Sequence, residues 1–181
     1  GRQLIGAGKP LGVLAYLALS ARRRSSRRVL AQLLWPQREE SGAQNSLRQA
    51  IFWLRRRIGA ETLLDEGGSL VLAPNVVVDV DDLIQSVEAR DPQAVCSAYR
   101  GRLMPNFEVR ESDEFTDWIA LQRTTLGRRL TAGINTIIGI DALVSAEERL
   151  ALTAILVDAA PDDNDNWRLR FQALLASSQF G

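Results

Sequence analysis

The first third of the chain alternates apolar stripes at helical spacing with short polar breaks. The spacing predicts helices over residues 10–20, 27–34 and 41–58. Ser26 lies at the N-cap position of the second helix, where its hydroxyl can accept a hydrogen bond from a free backbone N–H. Trp35-Pro36 ends that helix, because the residue before a proline disfavours the helical region.

Extended segments follow the third helix. Residues 62–64, 69–72 and 76–80 are predicted strands, and the turn signal at residues 65–68 joins the first two into a hairpin. Three helices followed by a hairpin is the order of elements in a winged helix-turn-helix. We therefore predict that residues 1–80 form one such domain.

From residue 81 onward the pattern is helical, so the predicted fold class is mainly α. Paired helices with short breaks are typical of tetratricopeptide-like arrays, and residues 81–181 are predicted as a second domain of this kind. The chain stops at residues 179–181 without a polar capping helix, which indicates that this domain is truncated. The predicted helices cover residues 81–90, 91–99, 112–138, 145–159 and 164–177.

Charge is distributed unevenly along the chain. The formal net charge is zero, yet residues 1–59 carry twelve basic and two acidic side chains, and residues 60–181 carry ten basic and twenty acidic ones. This asymmetry favours a polyanionic partner for the first part. The alternative is that the two oppositely charged parts only pack together.

The predicted third helix has an apolar and a polar side when its residues are placed about 100° apart. The apolar stripe, which is predicted to face the core, consists of Ala43, Leu47, Ala50, Ile51, Leu54 and Ile58. The opposite face holds Asn45, Gln49, Phe52 and Arg56, with Arg48 and Arg55 on one flank and Trp53 on the other. Polar side chains on one face of a buried helix are typical of a helix that reads DNA, although many such faces are only solvated.

The residue types on this face match the edges of DNA bases. Asparagine and glutamine can each form two hydrogen bonds with adenine, arginine can do so with guanine, and an aromatic ring can contact a thymine methyl group. A helix N-terminus and nearby arginines suit backbone phosphates. The residues predicted to read bases are Asn45, Arg48, Gln49, Phe52 and Arg56. The residues predicted to contact phosphates are Arg27, Arg28, Ser41, Arg55 and Arg57.

Two residues of the third helix fit DNA reading less directly. Phe52 and Trp53 are adjacent aromatic side chains that the helical wheel places away from the core. They are equally compatible with packing against another domain or subunit.

Other kinds of chemistry find little support. The chain has no histidine and one cysteine, Cys96, which excludes a histidine-based triad and a disulfide within the chain and argues against a zinc site. Gly6-Ala7-Gly8-Lys9 lacks the spacing and the hydroxyl residue of a phosphate-binding loop. We predict that the protein is not an enzyme and binds no cofactor or metal. No apolar run approaches the roughly 18 residues of a membrane span, so we expect a cytoplasmic protein.

Several stretches resemble a known family of regulators. Residues 12–19 (GVLAYLAL), 30–36 (LAQLLWP) and 45–56 (NSLRQAIFWLRR) resemble the DNA-binding domain of the Streptomyces antibiotic regulatory protein (SARP) type of transcriptional regulator. Residues 79–83, 99–103 and 115–123 resemble the bacterial transcriptional activator domain that accompanies this DNA-binding domain in the family.

The resemblance implies a winged helix of the response-regulator output type followed by a tetratricopeptide-like domain. It implies an activator that binds promoter repeats, with its third helix in the major groove, and recruits RNA polymerase. Binding to repeats is compatible with a homodimer. The wing implied at residues 62–72 contains no lysine or arginine, which argues against a wing–phosphate contact. Domains of this family start with a small β-sheet ahead of the first helix, and most of that sheet is missing ahead of residues 1–5. The apolar surface of the first helix is therefore expected to pack against another part of the protein.

Two functions are therefore predicted. The first is a sequence-specific, DNA-binding transcriptional regulator. The alternative is a helical scaffold for protein–protein interaction, whose basic half docks on an acidic partner.

Overall fold

The computed structural model describes residues 6–140 and 144–178 and is mainly helical, as predicted. These residues contain one small antiparallel sheet, in which β3 lies between β1 and β2. The strands are β1 (Arg24–Ser26), β2 (Leu63–Glu66) and β3 (Ser69–Leu72). The helices are α1 (Lys9–Leu19), α2 (Arg27–Leu34), α3 (Glu40–Ile58), α4 (Asp79–Glu88), α5 (Pro92–Ala98), α6 (Asp113–Ile138), α7 (Ala146–Ala159) and α8 (Asn164–Ser178).

The chain divides into two compact units. The first unit contains the described residues up to Val77 together with Asn106–Ala120, and the second contains Val78–Pro105 with the described residues from Leu121 onward. The sequence predicted a single domain boundary after residue 80. In the structure, the later segment Asn106–Ala120 belongs to the first unit. The sheet remnant predicted at residues 1–5 and the chain end at residues 179–181 lie outside the described residues.

Helix ends in the first unit follow local capping chemistry. The Ser26 hydroxyl accepts a hydrogen bond from the Val29 N–H at 3.2 Å, and α2 begins where the sequence predicted. Gly59 adopts a positive φ of 99° that favours glycine, and its N–H donates to the Arg55 carbonyl, so α3 ends there as predicted.

Ser41 and Gln44 have the spacing of a capping box, which predicts that Ser41 caps α3, and this prediction is wrong. Glu39 is the N-cap residue, with φ −56° and ψ 153°, and no side chain caps the helix. Ser41 therefore already lies in the first helical turn, where its hydroxyl is past the position from which it can accept the hydrogen bond that a capping box requires.

The hairpin of β2 and β3 is confirmed. Its turn residues Gly67 and Gly68 both have positive φ, 54° and 79°, as a two-residue turn matched to strand twist requires. The strand predicted at residues 76–80 is wrong, because Asp79 begins α4 instead. The first turn of that helix carries Asp79, Asp81 and Asp82, which favour a helix N-terminus.

Strand β1 was not predicted. Residues Arg24–Ser26 pair antiparallel with β3, and Ser25 lies opposite Leu70. The three polar residues carry no strand periodicity of their own, so the sequence offers no local signal for this strand.

The segment Asn106–Ala120 covers helix α1. The Phe115 ring is completely buried, and its centroid lies 5.9 Å from that of Phe107 and 5.3 Å from that of Trp118. The Trp118 ring in turn lies 4.7 Å from that of Tyr16 on α1. Gly12 allows this approach, because a Cβ there would lie 3.4–3.5 Å from Val109 and Phe115 and only 2.9 Å from Leu34. The first helix thus obtains cover from a later part of the same chain.

The second unit is built on helices that pack in pairs, α4 with α5 and α7 with α8. Asp91 caps α5 by accepting a hydrogen bond from the Ala94 N–H at 2.9 Å. Ser145 and Glu148 have the sequence spacing of a capping box, and they form one at the start of α7. Cys96 is half-buried against the core of this unit, and burial raises the pKa of its thiol. The buried core consists of Leu83, Val87, Val95, Leu130, Ile134, Ile137, Ile138, Val144, Leu152, Ile155 and Leu156.

Candidate nucleic-acid interface

Helix α3 is buried along one side, as its wheel predicted. The side chains that face the core and are buried are Ala43, Leu47, Ala50, Ile51 and Leu54. Ile58 is only half-buried. This packing fixes the rotation of the helix, and therefore determines which side chains face outward.

The outward face carries every residue predicted to read bases. All five are exposed: Asn45, Arg48, Gln49, Phe52 and Arg56. Within this face an Arg48 Nη donates a hydrogen bond to the Asn45 Oδ1 at 3.3 Å. Because the two residues are three apart on a helix, this bond links neighbouring side chains on the same surface.

The aromatic pair supports two arginines. The Arg56 guanidinium lies 5.7 Å from the centroid of the Phe52 ring, and that of Arg57 lies 5.5 Å from the Trp53 ring. Both pairs are four residues apart, and both match cation–π geometry. Phe52 is 63% exposed, so its ring remains open to a partner. Phe52 and Trp53, for which the sequence allowed two roles, therefore restrict the movement of the Arg56 and Arg57 guanidinium groups.

A buried serine that the sequence analysis missed fixes the start of α3. The Ser46 hydroxyl donates to the Gly42 carbonyl at 2.9 Å and accepts a hydrogen bond from an Arg38 Nη at 3.0 Å. Arg38 lies in the connection between α2 and α3, so this contact ties the connection to the helix. The signal for this contact in the sequence was the position of Ser46, which lies between Ala43 and Leu47 of the apolar stripe of α3.

Asp65 holds two of the arginines that were predicted to contact phosphates. Its carboxylate accepts hydrogen bonds from the Nε and an Nη of Arg27 at 3.0 and 2.6 Å, and from an Nη of Arg55 at 3.0 Å. Arg55 also donates to the Leu63 carbonyl. These contacts join α2, α3 and the hairpin, so the guanidinium groups of Arg27 and Arg55 stabilise the packing of these elements.

The pKa of Asp65 reflects these partners. Burial opposes ionisation of the carboxyl group, but hydrogen bonds and charge from Arg27 and Arg55 outweigh it and hold the pKa below its usual value. A lowered pKa means that the contribution to stability is present above the ordinary pKa of about 3.8. It is lost as the pH falls through the lower value of the folded state.

We expect Asp65→Asn to lower the free energy of unfolding of the first unit by about 1 kcal/mol, since the pair is partly exposed and solvent screens it. Thermal unfolding at pH 7 measures this. The matched control is Glu66→Gln, which removes only the exposed pair with Arg24 and should change stability by less than about 0.5 kcal/mol. Equal losses in the two variants would contradict the role of Asp65.

The other predicted phosphate residues differ in their surroundings. Arg28 is exposed and pairs with Glu40 at 3.4 Å, while Ser41 is exposed in the first turn of α3. Arg57 is exposed and stacks on Trp53. These three side chains lie on the surface, unlike the half-buried Arg27 and Arg55.

A basic turn ahead of β1 was not singled out by the sequence analysis. Arg22 and Arg23 have left-handed φ values of 59° and 51°. This conformation costs about 1–2 kcal/mol for each residue other than glycine. An Arg23 Nη donates to the Val76 carbonyl at 2.7 Å, and Arg24 donates to the Glu66 carbonyl at 2.9 Å. The run of three arginines was a signal for this anchored turn.

Two other kinds of site, a membrane-spanning helix and a metal site, are absent from the described residues. None of the helices within residues 6–140 and 144–178 has both the length and the apolar content needed to cross a membrane. In the same two ranges, no three histidine, cysteine or carboxylate residues cluster in a way that would hold a metal ion. No protein-family model matches this chain, and no curated protein matches it significantly.

Proposed function

We propose that this protein is a sequence-specific DNA-binding regulator whose helix α3 enters the major groove. The observation that carries the proposal is the outward face of α3, where two amides and two arginines are exposed together on a helix whose other side is buried. These are the side chains that form paired hydrogen bonds with base edges.

The dimensions of α3 support this proposal. The helix has 19 residues and is therefore about 28 Å long. The major groove is about 12 Å wide and admits an α-helix with its side chains. Asn45, Arg48 and Gln49 lie in the first half of α3, and in helix-turn-helix proteins this is the part of the helix that contacts base edges.

The surrounding elements favour a winged helix-turn-helix. Helix α2 precedes α3 after the short connection at residues 35–39, and the β2–β3 hairpin follows as the wing. Asp65 and Glu66 give the wing a negative charge that Arg24, Arg27 and Arg55 offset. In this account the wing positions α3, and phosphate contacts come from other residues.

Charge on the outward face supports a polyanionic partner. Among the described residues, Arg48, Arg56 and Arg57 form no ion pair with a carboxylate of the protein. Their charges are therefore available to phosphates or to guanine edges. Arg28 adds a further exposed cation beside the start of α3, although Glu40 shares it.

The finer assignment depends on the resemblance described above. A SARP-type regulator would activate transcription in the bacterial cytoplasm by binding promoter repeats, as a monomer or a homodimer, and recruiting RNA polymerase. The paired helices of the second unit are compatible with a tetratricopeptide-like activator domain in that role.

A protein-interaction scaffold is the second candidate, and exposed apolar side chains favour it. Phe52 on α3 is 63% exposed. Helix α8 exposes Trp167, Phe171 and Leu175 at intervals of four residues. Such surfaces are typical of contacts with other proteins.

Salt dependence of duplex binding tests the proposal. The logarithm of the affinity should fall linearly with the logarithm of the salt concentration, with a slope of about −0.9 for each neutralised phosphate. Arg57→Gln should reduce the magnitude of this slope by about 1 and weaken binding to all sequences alike.

The control is Arg168→Gln, which removes an exposed arginine of α8 that pairs with Asp165. This variant should bind duplex DNA with the same slope as the unmodified chain. If the chain binds no duplex at low salt, or if both variants change the slope equally, α3 is not the DNA-binding surface.

A further inference from the structure

The second unit contains a cleft of about 480 Å³, whose lining residues all belong to that unit. Small-molecule sites commonly have volumes of about 300–1,000 Å³. One wall is α6, and the others are the loop after α5 and the connection between α7 and α8. The cleft is remote in sequence from the outward face of α3.

One wall of the cleft depends on a glycine. Arg123, Gly127 and Thr131 line the cleft and lie four residues apart, on one face of α6. A Cβ at Gly127 would lie 3.0 Å from the carbonyl oxygen of Ala159, so a larger residue would push the end of α7 away. The absence of a side chain at Gly127 therefore lets α6 pack closely against the end of α7 at this wall of the cleft.

Apolar side chains form much of the lining. They come from all three walls and suit the hydrocarbon part of a ligand. These residues are Leu103, Leu126, Leu130, Ala159, Ala160 and Pro161.

Two cations in the lining are available to a ligand. Arg102 and Arg128 are exposed, and neither forms an ion pair with a carboxylate among the described residues. Arg123 differs, because its Nε and an Nη donate to the Leu103 and Met104 carbonyls at 3.0 and 2.6 Å and hold the loop wall.

Two carboxylates at or near the cleft accept hydrogen bonds from the protein itself. The Asp163 Oδ1 accepts a hydrogen bond from the Asp165 N–H at 3.0 Å, at the start of α8. Tyr99 donates its hydroxyl hydrogen to the Asp158 Oδ2 at 2.7 Å, and burial together with that carboxylate raises the pKa of the phenol. The lining contains two acids, Asp162 and Asp163, and three arginines, so the arginines are in excess.

Thr131 provides an unusual polar group beside the cleft. Its Oγ1 is covered and has no hydrogen-bond partner among the described residues. A threonine hydroxyl within a helix often donates to the carbonyl four residues earlier, and that bond is not formed here. Threonine has two accessible χ1 rotamers in a helix, so this hydroxyl can turn towards a ligand in the cleft.

We propose that this cleft binds a small organic anion with an apolar body. Its carboxylate interacts with Arg102 and Arg128, and its hydrocarbon part lies on the apolar lining. Arginine suits this role because its planar guanidinium forms paired hydrogen bonds with a carboxylate.

Titration of the whole chain with octanoate, phenylpropanoate, indole-3-acetate and acetate tests the proposal, with octylamine as the cationic counterpart of octanoate. Calorimetry measures affinity, and amide chemical shifts locate the site. The three larger carboxylates should bind more tightly than acetate and shift amides at residues 99–103, 123–132 and 159–163. Octylamine should not bind there.

Variants separate the charge from the apolar body. The double variant Arg102→Gln/Arg128→Gln should weaken octanoate binding by about ten-fold or more. Thr124→Trp, which introduces a large side chain at an exposed wall position, should also weaken it. Arg129→Gln, on the same helix but outside the lining, should bind within about two-fold of the unmodified chain, because exposed pairs contribute little.

Three results would overturn the proposal. The first is that no carboxylate shifts the amides of the cleft. The second is that octylamine binds as well as octanoate. The third is that the double arginine variant binds octanoate as tightly as Arg129→Gln does.

Discussion

Replacing Phe115 by alanine is expected to lower the free energy of unfolding of the first unit by about 3–5 kcal/mol. The side chain is completely buried, and its ring contacts those of Phe107 and Trp118. Its removal leaves a cavity next to Gly12, which surrounding backbone can fill only in part. Urea unfolding followed by tryptophan fluorescence and circular dichroism measures the change.

Phe52→Ala is the matched control, because it makes the same chemical change in the same unit at a ring that is 63% exposed. We expect its effect on stability to stay within about 0.5–1 kcal/mol, the value of the exposed cation–π pair with Arg56. If Phe115→Ala costs less than 1 kcal/mol, Asn106–Ala120 does not form part of the core of the first unit.

Asn45→Ala and Gln49→Ala are expected to reduce discrimination among DNA sites more than overall affinity. Each bidentate contact between an amide and adenine contributes about 1–3 kcal/mol of discrimination, which corresponds to roughly 5- to 150-fold. Each variant should lose preference at one or two base pairs and bind unrelated duplexes nearly as well as before. Titration of a preferred duplex and its single-base-pair substitutions measures the difference.

Gln85→Ala is the control for these two variants, since Gln85 is an exposed amide on α4 in the second unit. It should retain the discrimination of the unmodified chain at every position. An equal loss of affinity for all duplexes in Asn45→Ala and Gln49→Ala would show that these amides do not read bases.

Elements with strong local signals could be predicted from the sequence. Helix α2 begins after Ser26 and α3 ends at Gly59, because a hydroxyl cap and a glycine cap act over a few residues. The buried stripe of α3 follows from helical periodicity alone. The start of α3 was misplaced because Ser41 has the higher capping propensity, while the structure uses Glu39 and anchors the connection through Ser46.

Features that depend on distant contacts could not be predicted. Strand β1 exists because β3 pairs with it across more than forty residues of chain. The cover of α1 by Phe115 depends on the return of Asn106–Ala120 to the first unit, which no local pattern indicates. A distant contact also decides the role of Arg27, because Asp65 holds its guanidinium group across 38 residues of chain.

The most direct test of the central claim is selection of bound duplexes from a pool of random DNA by the unmodified chain. If the outward face of α3 reads bases, repeated rounds should enrich one short motif whose preferred bases include adenine or guanine at the positions facing Asn45, Arg48 and Gln49. Recovery of duplexes with no common motif, or of no duplex at all, would contradict the claim that this helix reads DNA.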